Sequence, residues 1–133
     1  MTFRAMVAIG TMSLLATTAA TSISAQAMQV SSSDGVWTVG FGPSTDFRIG
    51  REGALDVRLT PNSQGACAQV TEAVLEMPQH GHGADSSPRV MANGLCQSRV
   101  EGIAPTMRGR WRLRLILGAG NQTSVADIGI EVQ

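Results

Sequence analysis

The sequence contains no lysine and no tyrosine, and it has no excess charge of either sign, since ten arginines balance ten Asp and Glu residues. Proteins that bind nucleic acids or anionic membrane surfaces need a positive field, so the zero net charge argues against both classes. The 133 residues suffice for one domain, which excludes a large multidomain enzyme. The remaining composition, 43% hydrophobic with 15 glycines, is typical of a packed globular chain.

The longest uncharged run lies at the N-terminus. After Arg4, residues 5–20 are apolar or small, and Ala25-Gln26-Ala27 has small residues at both positions of an A-x-A cleavage site. This arrangement predicts a secretory signal peptide over residues 1–27, cleaved after Ala25 or Ala27. A membrane-spanning helix is the alternative, but Ser and Thr dilute the run and it is short for a span. We therefore expect residues 28–133 to be periplasmic or secreted, with no stable membrane span after cleavage.

Alternation of apolar and polar residues dominates after position 35, and no window has a convincing helical period. The alternation predicts about seven short strands, and hence an all-β, immunoglobulin-like β-sandwich over residues 28–133. Asn93-Gly94 separates two of these runs and predicts a hairpin in which both turn residues have positive φ. The runs are 36–41, 55–60, 66–75, 90–92, 95–100, 110–117 and 126–132.

The last two strands are chemically matched. Pairing Leu113 with Ile128 buries Trp111 beside Ile130, and it sets Arg114 opposite Asp127 and Arg110 opposite Glu131 on the exposed face. A shift of two residues would instead pair Arg112 with Asp127. The alternating arginines are therefore interpreted as a solvated face in preference to an anion site.

Cys67 and Cys96 are the only two cysteines, and export would place them in an oxidising compartment. Their separation fits no zinc-binding template. If successive strands alternate in direction, both cysteines open strands at the same end of the sandwich, so we predict a structural disulfide. Two separate buried thiols are the alternative.

The segment 76–83 carries the most distinctive chemistry, because it holds both histidines, His80 and His82, in a glycine-rich loop. Strand parity places Met107 at the same end of the sandwich. Imidazole nitrogen and thioether sulfur together suit copper, Cu(I) especially, so Met77, His80, His82 and Met107 form a candidate metal site. In the competing interpretation, Met77 packs in the core and the histidines only shape the loop.

Two elements, Met-Pro-Gln-His-Gly-His-Gly at 77–83 and Met-Arg-Gly-Arg-Trp at 107–111, make residues 55–132 resemble the YtkA-like domain family and its FixH-like relatives. The resemblance implies a small exported or membrane-tethered β-sandwich associated with copper-handling or cytochrome-oxidase-assembly proteins. It implies functional roles for Met77, His80, His82 and Met107, with Trp111 as a core anchor. The chain departs from the family pattern at Arg108, where proline is common, and at Leu95-Cys96, where an aromatic residue is usual.

Enzymatic signatures are missing from the sequence. Both histidines lie in one loop, and there is no G-x-S-x-G element, no H-E-x-x-H and no phosphate-binding glycine loop. We therefore expect no catalysis. The sequence predicts a copper-binding accessory or metal-trafficking protein; the alternative is a metal-free structural or interaction module with a His-rich loop.

Overall fold

The structure, a computed structural model, describes residues 28–43 and 47–133. All regular secondary structure within these residues is β-strand. The predicted signal peptide lies outside the described residues. The strands, in chain order, are β1 Met28–Ser31, β2 Trp37–Pro43, β3 Gly53–Pro61, β4 Gln69–Met77, β5 His82–Gly83, β6 Arg89–Ala92, β7 Gln97–Ile103, β8 Gly109–Ala119 and β9 Gln122–Val132.

The strands form two antiparallel sheets that pack face to face. One sheet has the order β1-β2-β3-β7-β6 and the other has the order β5-β4-β8-β9. Without β1 and β5 this is the seven-strand arrangement of an immunoglobulin constant-type domain, which confirms the predicted β-sandwich. The two additional strands are short edge strands of four and two residues, which the alternation does not predict.

The core lies between the two sheets and is built by alternate residues of the long strands. In β8, Trp111, Leu113, Leu115 and Leu117 are buried, as the pattern predicts. Trp37 in β2 is the matching large side chain of the opposite sheet, and it is 1% exposed. Period-two alternation sends successive side chains to opposite faces, so each long strand buries one face and turns its charged residues to the other.

The predicted register of β8 and β9 is confirmed. Leu113 lies opposite Ile128 and Arg114 lies opposite Asp127. The Arg114 guanidinium donates to both carboxylate oxygens of Asp127, at 2.8 and 2.9 Å. The alternative partner, Arg112, turns instead to Glu76 of β4, with an Nη2–Oε1 distance of 2.6 Å. The strands are joined by a two-residue turn whose first residue, Gly120, has a φ of 58°, the geometry of a type II′ turn.

The disulfide between Cys67 and Cys96 is also confirmed, with Cα atoms 5.3 Å apart. Cys67 precedes β4 and Cys96 lies in the β6–β7 turn, so the bond joins the two sheets. The predicted turn geometry is wrong at one residue. Gly94 has a positive φ as predicted, but Asn93 does not. The second residue of the turn with a positive φ is Cys96, at 58°. The reason is that the turn is longer: the Asn93 N–H group donates to the Gln97 carbonyl at 3.0 Å, and the Gln97 N–H group donates to the Gly94 carbonyl at 3.3 Å.

Strand direction places two loops at one end of the sandwich, which we call the histidine end. It comprises the β4–β5 hairpin tip, residues 78–81, and the β7–β8 loop, residues 104–108. The end of β4 lies beside the start of β8 there, since Glu76 pairs with Arg112. The β6–β7 turn and the disulfide lie at the opposite end. A search of the described residues for a helix long and apolar enough to cross a membrane found none.

Candidate metal site at the histidine end

The β4–β5 hairpin is a short, tightly bonded loop. Met77 and His82 are backbone partners, and the residues between them form the tip. The backbone N–H groups of His80 and Gly81 both donate to the Met77 carbonyl, at 3.1 and 3.2 Å. Gly81 has a φ of 68°, a conformation that glycine adopts without steric cost. The hairpin therefore presents the exposed His80 side chain on a fixed backbone.

Met77 is a core residue that reaches the start of β8. Its side chain is 1% exposed. Its methyl carbon lies 2.9 Å from the position that a Cβ on Gly109 would occupy, closer than real Cβ contacts come. Gly109 also has a φ of 122°, so the backbone favours glycine there, and a side chain would in addition displace the Met77 methyl group. This contact fixes the base of the hairpin against β8.

Met107 is half-buried against the edge of the same core. Its carbonyl accepts a hydrogen bond of 2.9 Å from the indole N–H of Trp111, whose ring is buried. A buried Trp usually needs such a partner for its N–H group. The spacing of Met107 and Trp111 thus has a structural explanation, because the indole of Trp111 in β8 holds the end of the β7–β8 loop at Met107.

The structure brings the four predicted site residues to one end of the molecule, but not into one environment. Met77 is buried, Met107 is half-buried and His80 is exposed. His82 is located by its backbone, opposite Met77 in β5. Among the described residues there is no group of three or more His, Cys, Asp and Glu side chains placed to hold a metal ion. The predicted set offers imidazole nitrogen and thioether sulfur as donor atoms.

Two features of this end were missed by the sequence reasoning. The first is the ion pair of Glu76 and Arg112, which anchors the hairpin stem to β8 through two bonds of 2.6 and 2.9 Å. A charged residue just before the hairpin motif was the available signal. The second is a cleft of about 730 Å³ beside the β7–β8 loop, lined in part by Arg108 and Glu131. It brings together segments distant in sequence, so no local pattern could have predicted it.

Comparisons with known proteins add no relative to this description. A scan against protein-family models, a search of curated proteins and a search of solved structures each found no match to the chain. The resemblance to the YtkA-like domain family therefore stays a prediction from the two sequence elements.

Proposed function

We propose that this protein is an exported β-sandwich that binds one copper ion at its histidine end and acts as an accessory in copper handling. The observation that carries the proposal is the strand arrangement that sets the hairpin with both histidines at the same end as Met107. The disulfide supports export, because such bonds persist in oxidising compartments. The partners would be copper-handling or oxidase-assembly proteins, and we propose no catalytic activity.

The ligands assigned by this proposal are His80, His82 and Met107. Neutral imidazole suits several transition metals, and a thioether shifts the preference toward Cu(I). Met107 is the better sulfur donor because its side chain is only half-buried. Met77 is 1% exposed and is packed against Gly109, so we assign it the structural role of holding the hairpin base.

Titration of Cu(I) against a competing chelator tests the proposal. We expect one Cu(I) per chain in the wild type, loss of binding in His80→Ala/His82→Ala, and at least about tenfold weaker binding in Met107→Leu. Met91→Leu is the matched control, because Met91 is 51% exposed in β6 and lies near the opposite end. Equal binding by all variants, or no binding above that of an unrelated β-sandwich, would contradict the proposal.

A metal-free interaction module is the second candidate. The observation that favours it is the exposed tip of the hairpin, which two backbone hydrogen bonds to the Met77 carbonyl hold in place. Such a tip is suited to a protein contact without any metal. The titration separates the two functions. If neither the wild type nor the double histidine variant binds Cu(I) above an unrelated β-sandwich, the copper proposal fails and the metal-free module is favoured.

A further inference from the structure

The Asn93-Gly94 pair lies in the β6–β7 turn, between the end of β6 at Ala92 and the start of β7 at Gln97, and both of its residues are exposed. Two backbone bonds close this turn, from the Asn93 N–H group to the Gln97 carbonyl and from the Gln97 N–H group to the Gly94 carbonyl. Neither bond uses the Gly94 N–H group, which has no acceptor among the described residues. The Gly94 nitrogen is therefore not held by the turn that surrounds it.

The Asn93 side chain is also unrestrained, and this distinguishes it from the two other asparagines of the chain. The Asn62 side chain is bonded at both ends, at 2.6 Å through its oxygen and at 2.8 Å through its nitrogen. Asn121 is followed by Gln122, whose backbone is paired with that of Ala119 across the two-residue turn. Within the described residues, Asn93 alone combines a side chain without a hydrogen bond and a following backbone nitrogen without one.

An asparagine side chain can react with the backbone nitrogen of the residue that follows it. When that nitrogen loses its proton, it attacks the side-chain carbonyl carbon and forms a new carbon–nitrogen bond. The bond from this carbon to the side-chain nitrogen breaks, and ammonia leaves after taking up a proton. A succinimide ring remains in the chain. Glycine in the second position favours the ring closure, because it has no Cβ and its backbone reaches conformations that other residues avoid.

We propose that Asn93 is a site of spontaneous deamidation through a succinimide formed with the Gly94 nitrogen. Water then hydrolyses the ring, and no oxidant or reductant takes part. Addition of water at the side-chain carbonyl yields aspartate, whereas addition at the main-chain carbonyl yields isoaspartate, in which the backbone continues through the former side chain. Either product adds one negative charge to a chain whose formal net charge is zero.

The new charge belongs to a cleft of about 280 Å³ that residues of the five-stranded sheet line, among them Asn93, Asp56 and Arg58. Asp56 is already paired with Arg99 at 2.8 Å. Arg58 has no ion-pair partner among the described residues. A carboxylate at position 93 would therefore share the cleft with an uncompensated guanidinium, so that deamidation changes the charge of this surface.

Peptide mapping by mass spectrometry measures the reaction in the folded protein, with its disulfide intact, during incubation at mildly alkaline pH. We expect Asn93 to deamidate at least about tenfold faster than Asn62 and Asn121. Asn93→Gln is the matched control, because it keeps a side-chain amide beside Gly94 but must close a larger ring. We expect loss of ammonia at position 93 to be at least about tenfold slower in this variant.

The denatured protein shows how fast the same pair reacts without the turn. If Asn93 deamidates in the denatured protein but stays intact in the folded protein, the turn protects it and the proposal is overturned. Equal rates at all three asparagines of the folded protein would also overturn it, because the free Gly94 nitrogen would then confer no reactivity.

The products identify the chemical route. Hydrolysis of a succinimide gives isoaspartate together with aspartate, whereas direct attack of water on the side-chain amide gives aspartate alone. We expect both products at position 93, separated by chromatography of the peptide that contains it. Aspartate without isoaspartate would contradict the attack by the Gly94 nitrogen.

Discussion

Gly109 is the single residue that adjoins both methionines of the histidine end, since it lies against Met77 and directly follows the loop that carries Met107. Its missing side chain leaves room for the Met77 methyl group, and its φ of 122° starts β8 directly after the Met107 loop. A side chain at position 109 would therefore disturb the hairpin base and the loop together.

Gly109→Ala should destabilise the protein by about 1–3 kcal/mol, because alanine is strained at this φ and its Cβ collides with Met77. Gly129→Ala is the control, since position 129 has an ordinary φ and no neighbouring atom within 4 Å. We expect the control to change stability by less than about 0.5 kcal/mol. Urea unfolding of both variants measures the difference. Equal midpoints would show that the contact with Met77 relaxes and the backbone tolerates alanine.

Trp111 acts both as a core residue and as the hydrogen-bond donor that fixes the Met107 loop. Trp111→Ala should cost about 3–5 kcal/mol, since the ring is 2% exposed. Trp111→Phe keeps most of the apolar contact but leaves the Met107 carbonyl unpaired, which should cost about 1–3 kcal/mol. Thermal unfolding of the two variants tests this order. An unchanged Tm in Trp111→Ala would contradict the assignment of this face of β8 to the core.

At the scale of elements, the disulfide fastens the segment before β4 to the β6–β7 turn. The same segment contacts the opposite sheet, since the Trp37 indole N–H group lies 3.4 Å from the Ala66 carbonyl. Reduction would therefore loosen a segment that covers part of the core. Cys96 has a φ of 58°, which a residue with a side chain rarely adopts unless its surroundings impose it, and its carbonyl accepts a 2.9 Å bond from the Leu59 N–H group.

Replacing both cysteines with serine should cost about 3.6 kcal/mol, the loop-closure contribution for a sequence separation of 29 residues. Cys67→Ser/Cys96→Gly should be about 1 kcal/mol more stable than Cys67→Ser/Cys96→Ser, because glycine accepts the left-handed conformation. Chemical denaturation under non-reducing conditions measures both differences. If the two double variants unfold together, the backbone at position 96 must relax once the bond is removed.

The pair of Arg114 and Asp127 predicts a pH dependence of the β8–β9 hairpin. The hydrogen bond from the Arg114 guanidinium lowers the pKa of Asp127 below its ordinary value of 3.8. Because the pKa of Asp127 is lower in the folded protein, its ionised carboxylate stabilises the fold fully above pH 3.8. This stabilisation is lost as the pH falls through the pKa of the folded state. Asp127→Asn should therefore lower the Tm at pH 6, and the difference from the wild type should shrink as the pH falls below 3.8. A difference independent of pH would mean that the carboxylate charge contributes nothing.

At the scale of the whole molecule, the patterns that predicted the fold are those of the long strands. The alternation in β8 and β9 specified both faces, and the Arg114–Asp127 and Arg110–Glu131 pairs agreed with the observed register. The cysteine pairing followed from strand direction alone. These features were predictable because they repeat over many residues and depend on one geometric rule.

The features that could not be predicted depend on contacts between distant residues. β5 has only two residues and exists because the hairpin folds back on Met77. The left-handed Cys96 lies in a turn longer than the predicted one, and the bond from the Trp111 N–H group to the Met107 carbonyl depends on a loop conformation. The burial of Met77 was one of two open interpretations, and only the position of β8 identifies it as a core residue.

X-ray absorption spectroscopy of the Cu(I)-loaded protein tests whether the histidine hairpin and Met107 hold the proposed copper ion. We expect two imidazole nitrogens and one thioether sulfur around copper in the wild type, with loss of the sulfur in Met107→Leu and its retention in Met91→Leu. A copper environment without sulfur in the wild type, or a sulfur ligand that persists in Met107→Leu, would contradict the proposed ligands.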